Sequence, residues 1–459
     1  MEHQLLRQLL YNKYIVPTQG ERPQYIGVEI ELPILNLERK AVDFTNIHQV
    51  TASFQEKFAF EIQLSDDEGE VYALSDPITG DVLSYDCSYN NLEFSFGRAT
   101  DLHSIQKRFV AYYSFIQEKL TAFHYTLTGL GINPYHKYNQ NLPIPSERYR
   151  MLFHHLQSYE KHDGSKQFHS YPSYGMFSSA TQVQLDVRED ELLAMLRVFS
   201  KLEPVKALLF ANSYMEEEPG YLCYRDLLWE KSMQGYNAHN IGGYEYELED
   251  EEELLEYLMS TSIYCVIRNH KYIHFTPVPI REYFNSSEIK GEYFDGTSYV
   301  TTSFVPSPED LEFLRTYKFV DLTYRGTIEF RSVCSQPVSE AMTSAAFHLG
   351  LRSELESLEK LLDSDRSLFH HGFSSMELRE ICNRREWQDF MEREDIASFL
   401  LDILRLAEQG LRRRGLGEET YLAPLFIRAK RCTNPARTML EYLESGSSME
   451  DIIHRYAKI

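Results

Sequence analysis

The segment Val28-Glu29-Ile30-Glu31-Leu32 alternates apolar and acidic side chains with a period of two. Successive side chains of a β-strand point to opposite faces, so this pattern predicts a strand with both carboxylates on one face. The two carboxylates would then stand about 7 Å apart and would repel each other unless a cation offsets their charge. The stretch predicts a strand whose apolar face lies in the core and whose acidic face is available for chemistry.

Three later segments share this alternation: residues 91–96 (NLEFSF), 181–187 (TQVQLDV) and 327–331 (TIEFR). Their polar positions hold acids, amides, hydroxyls and one arginine but no lysine, and they are Asn91, Glu93, Ser95, Gln182, Gln184, Asp186, Thr327, Glu329 and Arg331. An antiparallel sheet with one solvated face would also alternate, but such faces usually include lysine and avoid stacked carboxylates. The pattern is therefore consistent with a site for a hard divalent cation such as magnesium, completed by phosphates of a nucleotide, and equally with a sheet whose polar face is simply solvated.

Helical periodicity predicts helices over residues 102–123, 191–211, 252–261, 338–362 and 396–414, with two short helices after them. Ser307-Pro308-Glu309-Asp310 has the residue types of a helix start, and the acidic run at 245–256 is typical of a solvated face or of a helix's first turn. Strands followed by a helical end predict an α+β fold. We expect one domain over residues 1–459, with a helical portion from about residue 338.

Composition limits the classes of partner. The formal net charge is −23, which disfavours nucleic acids and anionic membrane surfaces and favours small-molecule substrates. We found no signal-peptide core and no apolar run of about 18 residues as a membrane span requires. The six cysteines are scattered without a CxxC pair, which is typical of a reducing compartment. We therefore expect a cytoplasmic protein, whose oligomeric state the sequence does not indicate.

Motifs in a fixed order extend beyond these strands. They are residues 26–31 (IGVEIE), 86–95 (DCSYNNLEFS), 131–134 (GINP), 147–151 (ERYRM), 179–186 (SATQVQLD), 209–213 (LFANS), 224–229 (YRDLLW), 328–331 (IEFR) and 434–436 (NPA). Together they resemble the glutamate–cysteine ligases of the plant and proteobacterial type, a branch of the glutamine-synthetase-like carboxylate–amine ligases. Gln184 stands where that family usually has asparagine, and the family's regulatory cysteine pairs have no recognisable counterpart.

This resemblance implies a glutamine-synthetase-like antiparallel sheet with a polar concave catalytic face and with helices on its apolar face. It implies a Mg²⁺-dependent ligase that uses ATP as co-substrate. The enzyme would phosphorylate the glutamate γ-carboxylate and let the cysteine amine attack the γ-glutamyl phosphate, the first step of glutathione-type thiol synthesis. The implied magnesium ligands are Glu29, Glu31, Asp86, Glu93, Gln182 and Glu329. Glu329 and Arg331 are the implied catalytic residues, and the implied substrate or nucleotide contacts are Arg148, Tyr149, Gln184 and Arg225.

Several alternatives stay open. Arg225 is equally consistent with a surface ion pair, and an Arg148-Tyr149 pair is more often structural than substrate-binding. His154-His155 and His370-His371 are adjacent rather than four apart, so we interpret them as packing or solvated groups. The protein could join a different amine to a carboxylate, or it could be a non-catalytic protein that binds a nucleotide or metabolite.

Overall fold

The computed structural model describes residues 3–162 and 167–459. Its strands are β1 (Ile26–Asn36), β2 (Glu61–Ser65), β3 (Val71–Ser75), β4 (Val82–Tyr85), β5 (Asn91–Ala99), β6 (Tyr125–Leu127), β7 (Thr181–Asp186), β8 (Ile241–Gly242), β9 (Ser262–Arg268), β10 (Lys271–Pro279), β11 (Ile289–Phe294), β12 (Tyr299–Phe304), β13 (Tyr317–Lys318), β14 (Val320–Leu322) and β15 (Thr327–Phe330). The four alternating segments of the sequence are the strands β1, β5, β7 and β15.

These four strands are neighbours in one nine-stranded antiparallel sheet. The order across it is β14-β15-β7-β1-β5-β4-β3-β2, and β6 pairs with β1 off this path. Strands distant in sequence thus lie side by side, since β1 contacts both β5 and β7. A second sheet of four strands, in the order β12-β11-β10-β9, and the small parallel pair β8–β13 lie outside the main sheet.

The helices are α1 (His3–Leu10), α2 (Phe44–Phe58), α3 (Leu102–Thr121), α4 (Glu147–Gln157), α5 (Glu189–Lys201), α6 (Glu203–Phe210), α7 (Tyr224–Glu230), α8 (Glu251–Ser260), α9 (Ile280–Asn285), α10 (Thr343–Arg352), α11 (Leu355–Ser364), α12 (Ser375–Cys382), α13 (Arg393–Arg414), α14 (Ala423–Arg431), α15 (Pro435–Glu444) and α16 (Met449–Tyr456). No strand follows Phe330 within the described residues, so the expected helical C-terminal end is confirmed.

Two predicted helices are interrupted. The segment 191–211 is two helices, α5 and α6, and Pro204 occupies the start of the second, where its missing N–H costs no hydrogen bond. The segment 338–362 is a short 3₁₀ turn followed by α10 and α11. The Ser307 start has the expected capping box, but it opens the 3₁₀ helix Pro308–Phe313. The acidic run supplies Glu251 and its neighbours to the first turn of α8, as expected.

Helices cover the apolar face of the main sheet. Val28 and Ile30 of β1 are almost fully buried, and the ring of Phe94 on β5 packs edge-on against Phe109 of α3 at a centroid distance of 5.6 Å. All four belong to one continuous apolar core. Burial of that face directs the alternate side chains of β1 and β5 to the other side of the sheet.

A close helix crossing holds the C-terminal part together. A Cβ added at Gly350 of α10 would lie 2.2 Å from the carbonyl oxygen of Ala407 on α13, and one added at Gly410 would lie 2.0 Å from the carbonyl oxygen of Gly350. Glycine at both positions therefore lets the two backbones touch. Across the described residues, every helix is too short or too polar to cross a lipid bilayer.

Candidate active site

The polar face of the main sheet brings the predicted acids into register. Glu31 on β1 lies directly opposite Glu93 on β5, and Glu29 lies opposite Gln182 on β7. On the other side of β7, Gln184 lies opposite Glu329 on β15. Directly opposed residues of an antiparallel pair have Cβ atoms about 4.5–5.5 Å apart, so this pairing forms a continuous row of acids and amides across four strands.

Three of the carboxylates converge most closely. One oxygen from each of Glu31, Asp86 and Glu93, which we call the acid cluster, lies within 4.8 Å of the others. Asp86 follows β4 in the turn before β5, so the chain reversal carries it over the strand pair. The Ala180 backbone N–H donates to Glu31 Oε2 at 2.8 Å, which fixes one side of the cluster.

The acid cluster holds more negative charge than its surroundings neutralise. Burial, followed by the charges of Asp86 and Glu93, raises the pKa of Glu31 to about 8. Burial and the charge of Asp86 raise the pKa of Glu93 to about 7, although a hydrogen bond from Ser95 acts in the opposite direction. Like charges disfavour ionisation of a shared site, and a bound cation would remove that penalty.

Gln182 carries an unused acceptor beside this cluster. Its amide Nε2 donates to Glu31 Oε1 at 2.9 Å, whereas its Oε1 is buried without a hydrogen-bond partner. A buried amide oxygen without a partner is costly, and this one belongs to a side chain that is hydrogen-bonded to Glu31 of the acid cluster. Oxygen-only donors of this kind fit a hard cation such as Mg²⁺, so the residues present are compatible with the predicted metal.

Glu29, Glu329 and Arg331 form a second group along the row. The amide of Gln184 donates to Glu29 Oε1 at 2.9 Å and to Glu329 Oε1 at 3.2 Å, and it thereby links β1 to β15. Arg331 Nη1 pairs with Glu329 Oε2 at 2.8 Å. Burial, then the charges of Glu329 and Glu93, raise the pKa of Glu29 well above its ordinary value. The carboxylate of Glu29 therefore interacts with an acid of each group.

Three guanidinium groups surround these acids. Burial alone would lower the pKa of Arg331, but the charges of Glu329 and Asp321 raise it, so Arg331 stays fully charged. The pKa of Arg148 is likewise lowered by burial and raised on balance by Tyr149 and Asp86. Arg225 is 5% exposed, and its Nη1 donates to the backbone oxygen of Arg331 at 3.1 Å. Arg225 is therefore no surface ion pair.

The neighbour of Arg225 belongs to a buried ionic network. Arg379 of α12 pairs with Asp226 at 2.8 Å and with Glu203 of α6 at 2.8 Å, and Lys206 pairs with Glu203 at 2.5 Å. Arg379 also donates to the backbone oxygen of Ser332, one residue after Arg331, at 3.3 Å. The network joins α6, α7 and α12 to the end of β15, and it fixes the backbone from which Arg331 and Arg225 extend.

The structure brings together all of the residues that the sequence proposed, although their individual roles stay predictions. Tyr149 lies at the acid cluster, where its hydroxyl donates to Asp86 Oδ1 at 3.4 Å. The side-chain amide of Gln184 is fully hydrogen-bonded within the protein. Its Nε2 donates to Glu29 and Glu329, and its Oε1 accepts from Arg325 Nη2 at 2.8 Å. Its observed contacts are therefore those of a residue that orders the acid row.

Sequence reasoning missed one acid of this face. Asp321 on β14 lies opposite Glu329, and burial raises its pKa to about 6. Thr316 donates to Asp321 Oδ1 at 2.7 Å. The signal was the short apolar-acid-apolar run Val320-Asp321-Leu322, which at three residues is too brief to stand out by periodicity alone.

The chain is similar in sequence to a known protein family and to curated proteins. A family model described as glutamate-cysteine ligase family 2 matches residues 53–457, so Glu29 and Glu31 lie outside the matched range. The chloroplastic glutamate–cysteine ligase of Solanum lycopersicum is 26% identical over 290 residues, which are 60% of this chain and 52% of that protein. The corresponding protein of Nicotiana tabacum is 26% identical over 277 residues, covering 58% and 49%. The chain thus spans about half the length of the curated relatives it matches.

The fold is similar to that of a solved ligase structure. That structure is the glutamate–cysteine ligase of Francisella tularensis in complex with AMP, with a TM-score of 0.50, 11% sequence identity, and coverage of 96% of this chain and 89% of that chain. At this identity the likeness concerns the fold alone. The expected α+β architecture, an antiparallel sheet with a polar face, helices on the opposite face and a helical end, is confirmed.

Proposed function

The chain belongs to the glutamate-cysteine ligase family 2, and we propose on that premise that it joins the γ-carboxylate of glutamate to the amine of cysteine with consumption of ATP. The γ-phosphoryl group would pass to the glutamate carboxylate, and the cysteine amine would displace phosphate from the resulting acyl phosphate. Glutamate, cysteine and ATP are the proposed substrates, and the product would feed thiol synthesis of the glutathione type.

The main physical obstacle is the approach of a carboxylate to a triphosphate. Mg²⁺ bound to the acid cluster would offset this charge and polarise the phosphoryl oxygens. Glu31, Asp86 and Glu93 would hold the ion, with Gln182 Oε1 as a further oxygen donor. Glu29 and Glu329 are the remaining candidates for metal ligands, because Gln184 holds both on the same face.

Arg331 is the proposed stabiliser of the phosphoryl group in transfer. The planar guanidinium of Arg331 can donate to two oxygens at once. Its ion pair with Glu329 holds it on the same face as the row of acids. Arg225 and Arg148 are candidates for binding the glutamate α-carboxylate or a nucleotide phosphate, because each is a cation beside acids that a bound metal would neutralise. Arg225 is buried, whereas Arg148 is exposed and can reach a ligand that enters from solvent. Tyr149 is positioned to orient Asp86 rather than to react.

The observation that carries this proposal is the convergence of one buried and two half-buried carboxylates on one sheet face, with an unpartnered amide oxygen on the same face and charged arginines around them. Burial and mutual repulsion raise the pKa values of Glu31 and Glu93, and a bound divalent cation would remove that penalty. The acceptor amine is inferred from the family. A cytoplasmic location stays a prediction.

The experiment is phosphate release from ATP with purified protein, glutamate and a panel of amines, followed by mass analysis of the product. We expect release only when glutamate, cysteine and Mg²⁺ are all present, with a product of the mass of the glutamate–cysteine dipeptide. Arg331→Lys should lose most of this turnover, and Arg405→Lys, a change at an exposed surface ion pair, should keep it. Faster release with another amine would refute cysteine as acceptor, and release independent of glutamate would refute the ligase.

A further inference from the structure

A second cluster of metal-binding side chains lies outside the acid row. His154 on α4, His274 on β10 and Glu292 on β11 each direct one ligand atom into a common space, with these atoms within 4.8 Å of one another. His274 and Glu292 are directly paired across the two strands, and α4 packs on both strands. The cluster thus joins α4 to two neighbouring strands that lie more than one hundred residues later in the sequence.

The distances match those of a metal-binding site. His154 Nε2 lies 3.1 Å and His274 Nε2 lies 3.6 Å from Glu292 Oε2. Ligands at the Zn–N and Zn–O distances of about 2.0–2.2 Å in a tetrahedral site are separated from each other by about 3.3–3.5 Å. The two observed separations lie on either side of that spacing, so small side-chain movements would suffice to bind an ion.

The ring of His274 packs edge-on against neighbouring aromatic rings, but its two nitrogens have no other role that their contacts reveal. It is 3% exposed, and neither ring nitrogen has a hydrogen-bond partner. A neutral imidazole can offer the lone pair of one ring nitrogen to a metal ion. His154 is held in place by its stacking on Tyr299, with ring centroids 3.5 Å apart.

A simple ionic cluster is the competing interpretation. Lys161 Nζ lies 2.9 Å and 2.8 Å from the two oxygens of Glu292, and it already neutralises that carboxylate. Lys161 is, however, an exposed side chain that can swing away, and its ion pair leaves the two nitrogens of His274 without partners. A metal ion would satisfy one nitrogen of His274 and keep the charge of Glu292 offset.

We propose that His154, His274 and Glu292 form a binding site for a divalent transition-metal ion, with zinc as the best-fitting ion. Two imidazoles and one carboxylate are a ligand set that zinc accepts, with the fourth position open to water. This ligand set differs from the acid cluster, whose oxygen-only donors favour magnesium. The ion would fasten α4 to the four-stranded sheet, and α4 also carries Arg148 and Tyr149 at the acid cluster.

The test is a zinc titration of the full chain with a chromophoric competitor, in the presence of excess Mg²⁺ to saturate the acid cluster. We expect one zinc per chain. Loss of a ligand in His154→Ala or Glu292→Gln should weaken binding by more than about 100-fold, since outer-shell partners alone are worth about 10–100-fold. Two matched controls, His454→Ala at an exposed histidine and Glu31→Gln in the acid cluster, should bind as the unmodified protein does.

Two further measurements separate a metal site from an ionic cluster. Lys161→Met removes the competing cation and should tighten zinc binding several-fold. Cobalt substituted at the site should show the intense visible absorption of a four-coordinate ion, and this absorption should be lost in His154→Ala. The proposal is overturned if zinc binds no better to the unmodified protein than to Glu292→Gln, or if Lys161→Met weakens binding. Because His154 is partly exposed, its replacement tests the site even where His274→Ala fails to fold.

Discussion

Replacing Glu31 by glutamine should make the metal-free protein more stable while abolishing its turnover. The shape of the side chain is kept, and its hydrogen bonds can be kept as well. The new amide oxygen can accept from the Ala180 N–H, and its NH₂ group can donate to Gln182 Oε1 once the Gln182 amide turns over, because Gln182 Nε2 now donates to the oxygen that the NH₂ group replaces. The substitution therefore removes a buried charge from the acid cluster and leaves one atom of the Gln182 amide unpaired, as in the unmodified protein.

The magnitude follows from linkage. The pKa of Glu31 is raised from 4.5 to about 8, so the folded state binds the proton more tightly than the unfolded chain does. That stabilisation is complete below pH 4.5 and is lost as the pH rises through 8. A shift of this size is worth about 4–5 kcal/mol for a group titrating alone. Because Glu31 and Glu93 titrate together, we assign about half, on the order of 2 kcal/mol, to the single substitution.

The assay is reversible denaturant unfolding at several values of pH between 5 and 9, with EDTA or with excess Mg²⁺. Metal-free unmodified protein should lose stability over this range, and the Glu31→Gln variant should lose less and be the more stable of the two at pH 8. Mg²⁺ at about 100 times its Kd should add about 2.7 kcal/mol to the unmodified protein and much less to the variant. A variant that is less stable at pH 8 without metal would show that the charge of Glu31 does not destabilise the metal-free protein, and a variant that gains as much from Mg²⁺ would show that Glu31 does not bind the ion.

Three further changes test separate parts of the structure. Arg331→Lys should lower kcat by about 100-fold or more, because an ammonium cannot donate two parallel hydrogen bonds. Steady-state kinetics with little change in the KM for ATP would support this, and a kcat within a few-fold of that of the unmodified protein would contradict it. Glu203→Gln leaves the cations Arg379 and Lys206 with too little negative charge beside them and should lower the free energy of unfolding by about 3–5 kcal/mol. Denaturant titration checks this, and a loss under about 1 kcal/mol would show that the Arg379 network does not depend on the charge of Glu203. Gly350→Ala should destabilise the protein by about 1–3 kcal/mol, because the new methyl group meets the Ala407 carbonyl; a rise in Tm would mean that α10 and α13 can separate freely.

The polar face was predictable because burial of one strand face fixes the direction of every second side chain. Four short alternating segments sufficed to identify β1, β5, β7 and β15 and the acids on them. The order β15-β7-β1-β5 was not predictable in this way, because pairing between strands depends on tertiary packing rather than on local pattern. The approach of Asp86 to Glu31 depends on that pairing, since Asp86 lies in a turn and not on a strand.

Other features left too weak a local signal. The sequence analysis predicted neither the strands β9 to β12 nor the cluster at His154. The cluster was missed because His274 and Glu292 are separated from α4 by more than one hundred residues. The adjacent His154 and His155 do not share a helix face, so the sequence suggested packing or solvated groups. For His154 that interpretation overlooks the neighbours that β10 and β11 bring to it. Local periodicity, in short, identifies faces but not the partners that those faces meet.

One face of the main sheet is proposed to hold a divalent cation against a triphosphate. Crystals grown with Mn²⁺ and a non-hydrolysable ATP analogue would show this, with anomalous scattering used to locate the manganese. We expect an anomalous peak at coordination distance from oxygens of Glu31, Asp86 and Glu93, with the terminal phosphate on the same ion. Density for the analogue and the manganese away from this face, with the three carboxylates unoccupied, would contradict it.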